Sequence, residues 1–421
     1  MTNTHTAKIS RNVILLIIVA ALGYFVDIYD LLIFSILRKE SLLAIGVPAD
    51  QILSKGLYIQ NMQMFGLLIG GILWGVIGDK FGRIKVLFGS IMLYSAANFA
   101  NGFVTDVETY AIIRLIAGIG LAGELGAGIT LVSESMSKEN RGYGTSLVAI
   151  IGLFGAVAAA QAARFGWQKA YFIGGGLGVL LLLLRIGTFE SGLYKQVKNS
   201  TISKGNILML FNNGKRFWKY LCCILIGMPL WFVVGILITL SPEFGKALGA
   251  PTPLSAGTGI MYTYIGISIG GIFAGLLAQF TRSRKLTMLI FLLVSVISVV
   301  CYLRATGITQ NQFVWLCLFM GTCVGYWATF VTIASEQFGT NLRATVTTTV
   351  PNFVRGALIP ISFSFLFFVK QFNPLTPKGP KQPEAMINSG YIMMAILTFI
   401  ALFALSQLKE SFGKDLDYVE E

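Results

Sequence analysis

The chain has 421 residues, of which 55% are hydrophobic and only 12% are charged. A soluble domain of this size carries roughly twice that charged fraction, so the composition excludes an ordinary soluble globular protein. The single histidine, His5, and five cysteines without zinc-type spacing give no histidine-based catalytic centre and no Cys/His metal site.

Apolar runs of about 20 residues recur along the whole chain, which is typical of membrane-spanning helices. The first run is too long for a cleaved signal peptide, and no small-residue cleavage site follows it. We predict twelve spans, numbered in chain order, at roughly 12–37, 57–78, 86–104, 109–135, 143–164, 169–187, 217–241, 257–279, 286–304, 311–334, 345–370 and 388–408.

The net charge of +13 would also fit a nucleic-acid-binding protein, but its distribution along the chain does not. With the N-terminus inside, about 20 of the 32 basic residues lie in inner segments and about 10, including Arg38 and Lys246, lie in outer ones. This bias predicts a multi-pass protein of the cell (inner or plasma) membrane with both termini in the cytoplasm. Its expected partners are the lipid bilayer and a small-molecule substrate, without nucleic acid, and the chain is expected to be a monomer.

Span 1 contains two acidic residues within the stretch GYFVDIYDLLIFS. Asp27 and Asp30 are three residues apart, so they share one face of a helix. Charge at this depth is costly and is usually kept for a function.

Spans 4 and 11 carry further charges at membrane depth. Arg114 lies about 9 Å from the outer end of span 4, at the same depth as Asp30 in span 1. Glu124 lies about 15 Å deeper than Arg114 and has no obvious arginine partner. Arg355 is placed near the midplane, in the C-terminal half and away from the acidic residues.

The chain contains an internal repeat. IGGILWGVIGDKFGRIK from Ile69 aligns with IGGIFAGLLAQFTRSRK from Ile269, and SESMSKENR from Ser133 aligns with SEQFGTNLR from Ser335. A weaker match relates Glu190 to Glu410. The repeat predicts two six-helix halves, residues 1–187 and 217–421, joined by a cytoplasmic linker at 188–216.

Several motifs make the sequence resemble the metabolite:proton symporter branch of the major facilitator superfamily. GVIGDKFGRIK (75–85) resembles the superfamily's G-x-x-x-D-(R/K)-x-G-R-(R/K) loop, with Ile84 at the last basic position. RLIAGIGLAGELGAG (114–128), SEQFGTNLRAT (335–345) and DIYD (27–30) resemble branch motifs of spans 4, 11 and 1. RIGTFESGLYKQV (185–197) resembles the stretch after span 6, with Gly192 where proline is usual.

The resemblance implies an all-α membrane protein with twelve transmembrane helices in two six-helix, pseudo-symmetric bundles. It implies a secondary transporter and not an enzyme. The G-x-G-x-x-G pattern at 118–123 lies inside a continuous span, so a dinucleotide site is rejected and its glycines are assigned to helix packing. The Gly-Pro pair of drug antiporters in span 5 and the Gln-Gln pair of sugar porters in span 7 are missing.

The expected activity is proton-coupled uptake of a small carboxylate-bearing metabolite, such as an organic acid or amino acid, by alternating access. The alternatives are a facilitator or exporter without proton coupling and a transport-inactive receptor of the same fold. No cofactor is expected, and protons serve as the coupling ion.

Proton coupling is assigned to Asp30, helped by Asp27, because an aspartate that loses a neighbouring arginine in an apolar setting favours proton uptake. Arg114 is the expected alternating partner, and the resemblance supports that pairing; Glu124 is the reserve candidate. The alternative is that these charges only neutralise one another as buried structural pairs.

Substrate binding is assigned to Arg355, whose planar guanidinium can grip a carboxylate through two hydrogen bonds. The supporting residues are Asn352, Tyr29, Tyr264 and Trp327. The alternative is a structural arginine held by carbonyl groups or by Glu336. A cytoplasmic gate is assigned to Gly75, Asp79, Gly82, Arg83, Glu134, Arg141, Glu190, Glu336 and Arg343.

Overall fold

A computed structural model describes residues 11–81, 83–124, 126, 128, 132, 136, 141–190, 207–372 and 382–413. Within these residues the regular structure is helical. The helices of the N-terminal half are Arg11–Ala44 (span 1), Ile52–Phe81 (span 2), Arg83–Asn101 (span 3), Val107–Leu121 (span 4), Arg141–Leu153 and Gly155–Ala162 (span 5), and Trp167–Glu190 (span 6).

The C-terminal half has the same number of spans, and three of them are interrupted, as span 5 of the N-terminal half is at Phe154. Its helices are Gly214–Leu225, Met228–Phe232, the π-helical turn Val233–Ile238 and Ser241–Ala247 (span 7), Ala256–Thr281 (span 8), Arg284–Leu303 (span 9), Gln310–Cys323 and Trp327–Glu336 (span 10), Thr340–Gly356 and Leu358–Gln371 (span 11), and Gln382–Gln407 (span 12).

Ten segments of the described chain are long and apolar enough to cross a membrane. The other two predicted spans are 3 and 4: span 3 carries buried Ser90, Ser95 and Asn98, and only 107–121 of span 4 form a described helix. Large apolar side chains such as Phe280 (90% exposed) cover the outside, as a lipid-facing surface requires.

Helix starts follow ordinary capping chemistry. The Asp106 carboxylate accepts a hydrogen bond from the Thr109 N–H at 2.9 Å and begins span 4, and Ser283 caps span 9 in the same way. Before span 10, Thr309 and Gln312 form a reciprocal capping box.

The internal repeat is confirmed by matched glycine contacts in the two halves. A Cβ at Gly70 of span 2 would lie 2.8 Å from the Ile119 Cα of span 4. A Cβ at Gly270, two hundred residues later in span 8, would lie 3.0 Å from the Gly325 Cα of span 10. Gly118 likewise packs against the backbone of span 2, so the G-x-G-x-x-G pattern serves helix packing as predicted.

The three interruptions have local causes in the sequence. Pro229 follows Gly227 in span 7, Gly325 precedes the second part of span 10, and span 11 carries Pro351 and Pro360 on either side of its break at Ala357. Such breaks are tolerated at membrane depth where the freed backbone is buried inside protein. The predicted boundaries of the two halves stay a prediction, because 191–206 lie outside the described residues.

Candidate substrate and proton site

The first buried ion pair joins Asp30 of span 1 to Arg114 of span 4. Arg114 Nη1 donates to the Asp30 carboxylate at 2.9 Å, and Nη2 donates to the Asp30 backbone carbonyl at 2.8 Å. Both side chains are fully buried, and the guanidinium carbon lies 5.8 Å from the Tyr171 ring centre. The equal depth predicted from sequence therefore does bring these two residues together, within one half of the molecule.

The second pair corrects the expectation that Glu124 has no arginine partner. Arg185 of span 6 donates through Nη1 to Glu124 at 3.1 Å and makes a second, very short contact through Nη2. The same Nη1 lies 3.3 Å from the Leu87 carbonyl oxygen. Gly23 of span 1 makes room for this pair, since a Cβ there would collide with both side chains.

The third pair crosses between the two halves. Arg355 Nη2 lies 3.6 Å from Asp27 Oδ2, and both residues are buried. The expectation that Arg355 lies away from the acidic residues is therefore wrong, and Glu336, the alternative partner from sequence, is paired with Arg284 at 3.6 Å instead.

Two tryptophans flank Arg355. Its guanidinium carbon lies 6.0 Å from the Trp231 ring centre and 5.9 Å from that of Trp327, and the two indoles meet edge to face at 6.4 Å. Trp231 lies in the short helix Met228–Phe232 of the interrupted span 7, and Trp327 begins the second helix of span 10. Arg355 lies just before the break in span 11. The interruptions thus converge on one buried cation.

This third pair leaves hydrogen-bonding capacity unused. Among the described residues, both Asp27 carboxylate oxygens and the Nε and Nη1 groups of Arg355 have no hydrogen-bond partner. Unpartnered buried polar groups are costly and are usually satisfied by water, an ion or a ligand. The pair therefore has the donors and acceptors needed to bind a polar group.

The other predicted substrate residues differ in the contacts that their side chains make. Tyr264 is buried within electrostatic reach of Arg355 and Asp27. Asn352 donates to the Ala122 carbonyl of span 4 at 3.0 Å and keeps its Oδ1 without a partner in the described structure. Tyr29 donates its hydroxyl to the Ala170 carbonyl at 2.7 Å, so that hydroxyl is used inside the N-terminal half.

The predicted gate is described only in part. Gly82 and Glu134 lie outside the described residues, as do the side chains of Asp79, Arg83, Arg141 and Glu190. No described atom lies within 4 Å of a Cβ built at Gly75, and the assignment of Gly75 to the gate stays a prediction. Glu336 accepts a hydrogen bond from the Ser411 hydroxyl at 2.7 Å, and Arg343 lies 3.4 Å from the Phe338 carbonyl.

Glu410, the repeat partner of Glu190, anchors the start of span 9. It accepts hydrogen bonds from the Ser283 hydroxyl and from the backbone N–H groups of Arg284, Lys285 and Phe412. Partial burial acts to raise the pKa of this carboxyl, but these hydrogen bonds outweigh it and hold the pKa at about 2.

Sequence reasoning missed an ion pair at the end of the molecule where span 1 finishes, the outer end in the predicted orientation. Arg38, expected in an outer loop, is a buried helical residue. Its Nη2 contacts both Glu243 oxygens, at 2.6 and 2.7 Å. At the same interface Gln60 donates to the Gly235 carbonyl at 3.3 Å and Ser362 donates to Asn61 at 2.9 Å. We call these contacts the Arg38 clasp.

Comparison with known proteins decides the family. The sequence profile of the Major Facilitator Superfamily matches residues 15–362. The chain belongs to this superfamily. It therefore has the twelve-helix fold of two six-helix bundles and is a multi-pass membrane transporter of metabolites, not an enzyme.

Individual relatives carry small molecules of several kinds. The sialic acid transporter NanX of Escherichia coli is 26% identical over 77% of this chain and 79% of its own length. The E. coli 3-(3-hydroxy-phenyl)propionate transporter is 25% identical over 61% and 66%, and the niacin transporter NiaP of Acinetobacter baylyi is 32% identical over 28% of each chain. A D-xylose-proton symporter matches in structure with a TM-score of 0.70 at 19% identity, over 96% of this chain and 99% of that one.

Proposed function

We propose that this protein takes up a small carboxylate-bearing metabolite together with protons by alternating access. The observation that carries the proposal is the buried Arg355, which has donors without a partner among the described residues and is paired across the bundle interface with a carboxylate. An arginine in this state binds a substrate carboxylate at little extra desolvation cost, because its desolvation is already part of the folded protein.

The residues around Arg355 favour a substrate with a flat, apolar body. The ring centres of Trp231 and Trp327 lie 6.0 and 5.9 Å from the guanidinium carbon, and Tyr264 is buried within electrostatic reach of it. Aromatic rings stack on such surfaces and gain about 0.5–1.5 kcal/mol beyond their buried area. The relatives named for niacin and for 3-(3-hydroxy-phenyl)propionate point to the same class, an aromatic monocarboxylate.

Proton coupling is supported by the acidic residues of span 1. Asp27 and Asp30 are both buried at membrane depth and both paired with arginine. A structural neighbour is named a proton symporter, and we extend that coupling to this chain as part of the proposal. The proposal also includes the orientation, with both termini in the cytoplasm, and the oligomeric state, a monomer.

A pair of nearly isosteric probes tests the substrate assignment. Niacin carries a carboxylate where nicotinamide carries a neutral amide. Binding of both to the purified protein is measured by calorimetry, alongside 3-(3-hydroxyphenyl)propionate. We expect binding of the acids and at least tenfold weaker binding of the amide, and Arg355→Lys is expected to weaken acid binding while the ligand-free melting temperature is kept.

Transport is then measured in liposomes with an imposed pH gradient. Accumulation of the bound acid against its own gradient supports symport. Equilibration without accumulation identifies a facilitator, and binding without any flux identifies a receptor. Preference for the amide, or unchanged acid binding by Arg355→Lys, contradicts the carboxylate assignment.

A further inference from the structure

We propose that the substrate carboxylate and Asp27 alternate on Arg355, and that Asp27, rather than Asp30, is the group that takes up the transported proton. This inference rests on the proposed function and names the coupling step of the same site. It identifies one arginine as the element that the substrate and the proton carrier share.

The two aspartates of span 1 are held very differently. Asp30 receives a direct 2.9 Å hydrogen bond from Arg114, which also donates to its backbone carbonyl at 2.8 Å. Asp27 meets Arg355 at 3.6 Å without a hydrogen bond. Because the Asp27–Arg355 pair is looser and Arg355 keeps hydrogen-bond donors without a partner among the described residues, a competing carboxylate can displace Asp27 from Arg355.

The location of each partner decides which pair can separate during transport. Asp30 and Arg114 lie in spans 1 and 4 of the same half, so rocking of one half against the other leaves their distance unchanged. Asp27 lies in span 1 and Arg355 in span 11, so the same motion changes their separation directly. The requirement that the arginine leaves its aspartate is therefore met by Asp27 and Arg355.

Arg355 is the cation in ion-pair contact with Asp27 in the described structure. The charged groups that act most strongly on the Asp27 carboxylate are Arg355, Glu124 and Asp30, and Asp27 in turn acts on Tyr24, Tyr94 and Tyr264. Glu124 is neutralised by Arg185, and Asp30 is neutralised by Arg114. Once Arg355 turns to a substrate, Asp27 is an isolated buried carboxylate that favours its protonated form.

The exchange balances in charge and in atoms. One substrate anion replaces the Asp27 carboxylate as the partner of Arg355, and Asp27 binds one proton. Release of the substrate returns Arg355 to Asp27, which then gives up its proton. No covalent bond of the substrate changes.

The first test measures the affinity for niacin as a function of pH. In the unaltered protein the affinity rises as the pH falls, approaching tenfold per pH unit, because binding takes up one proton. Asp27→Asn leaves Arg355 without a competitor, so its affinity is at least as high and is independent of pH. Asp30→Asn tests the rival assignment: this variant keeps the pH dependence if Asp27 takes up the proton and loses it if Asp30 does.

The second test follows transport in liposomes. Asp27→Asn is expected to lose pH-driven accumulation and to keep exchange of labelled for unlabelled niacin. Asp30→Asn, where exchange shows that it is folded, is expected to keep accumulation. Accumulation by Asp27→Asn, or its loss in an exchange-competent Asp30→Asn, overturns the proposal.

A third measurement needs no substrate and separates this inference from the proposed function. Arg355→Gln leaves Asp27 without its cationic partner. The infrared spectrum of this variant at neutral pH should therefore gain the carbonyl band of a protonated carboxyl. Arg355→Gln/Asp27→Asn should lack that band and serves as the folded reference. A folded Arg355→Gln without the band overturns Asp27 as the proton carrier even if the acids bind, whereas failure of the acids to bind the unaltered protein overturns the proposed function and leaves the infrared result for Asp27 standing.

Discussion

Arg38 near the end of span 1 and Glu243 in the last helix of span 7 connect the two halves through a single nitrogen, Arg38 Nη2, that lies 2.6 and 2.7 Å from the two carboxylate oxygens. Arg38 is 1% exposed and Glu243 is 21% exposed. A charged hydrogen bond of this kind contributes about 1.5–3 kcal/mol. It therefore favours the conformation in which the two halves meet at this end.

Removing the charge of Glu243 should open the Arg38 clasp. We expect Glu243→Gln to raise the labelling rate of Ser362→Cys by a membrane-impermeant maleimide about tenfold or more, in line with about 1.5 kcal/mol or more of lost contact. Ser362 is fully buried at the same interface, so labelling requires opening. The exchanged pair Arg38→Glu/Glu243→Arg should return to slow labelling. Equal rates with and without Glu243 would contradict a closing role.

Gly23 should be sensitive to a single added methyl group. Gly23→Ala places a Cβ against the Glu124 and Arg185 side chains, and overpacking of this kind costs about 1–3 kcal/mol. We expect a lower melting temperature for the purified protein. Gly176→Ala is the control, since its added Cβ meets no described atom within 4 Å. A melting temperature unchanged by Gly23→Ala would show that the buried pair relaxes freely.

Glu410 should stabilise the protein only above acidic pH. Its pKa is lowered from 4.5 to about 2, so its contribution is complete above about pH 4.5 and is lost as the pH falls towards 2. Glu410→Gln should therefore lower the melting temperature at neutral pH, and the difference from the unaltered protein should shrink below pH 4.5. A difference that is constant across this range would rule out titration of Glu410 as its origin.

Asp79, within the motif GVIGDKFGRIK at 75–85, should be needed for transport and not for membrane insertion. Its carboxylate can cap the N-terminus of a neighbouring helix at the inner face, a contact that the neutral amide of Asp79→Asn makes less well. We expect slower niacin exchange at an unchanged level of protein in the membrane. Normal exchange by this variant would remove Asp79 from the gate.

The internal repeat and the depth of charged residues along the spans predicted contacts that the structure contains. The match of Gly70 to Gly270 follows from an ungapped repeat, and the meeting of Asp30 with Arg114 follows from counting residues along two helices. Both depend only on distances along the chain. Pro351 and Pro360, on either side of the break in span 11, are likewise a local feature of the sequence, because proline interrupts a helix where it stands.

Contacts that depend on the angular position of side chains and on how the halves close were not predicted. Depth alone does not reveal that Arg185 turns towards Glu124 or that Arg355 faces Asp27 across the interface. Arg38 was assigned to a loop because the apolar run ends before it, while the helix continues to Ala44. Arg38 is buried where it pairs with Glu243, which is distant in sequence, so the hydropathy of the neighbouring residues does not predict its burial.

The three central pairs, Asp27 with Arg355, Asp30 with Arg114 and Glu124 with Arg185, hold as many negative as positive charges. If a monocarboxylate replaces Asp27 on Arg355 while Asp27 becomes neutral, that balance is the same in the loaded and the empty site. A membrane potential of 100 mV changes the energy of each uncompensated charge that crosses the membrane by about 2.3 kcal/mol, but the site carries no uncompensated charge in either state. The driving force for uptake would then be the difference in proton concentration across the membrane, and accumulation would continue at zero membrane voltage.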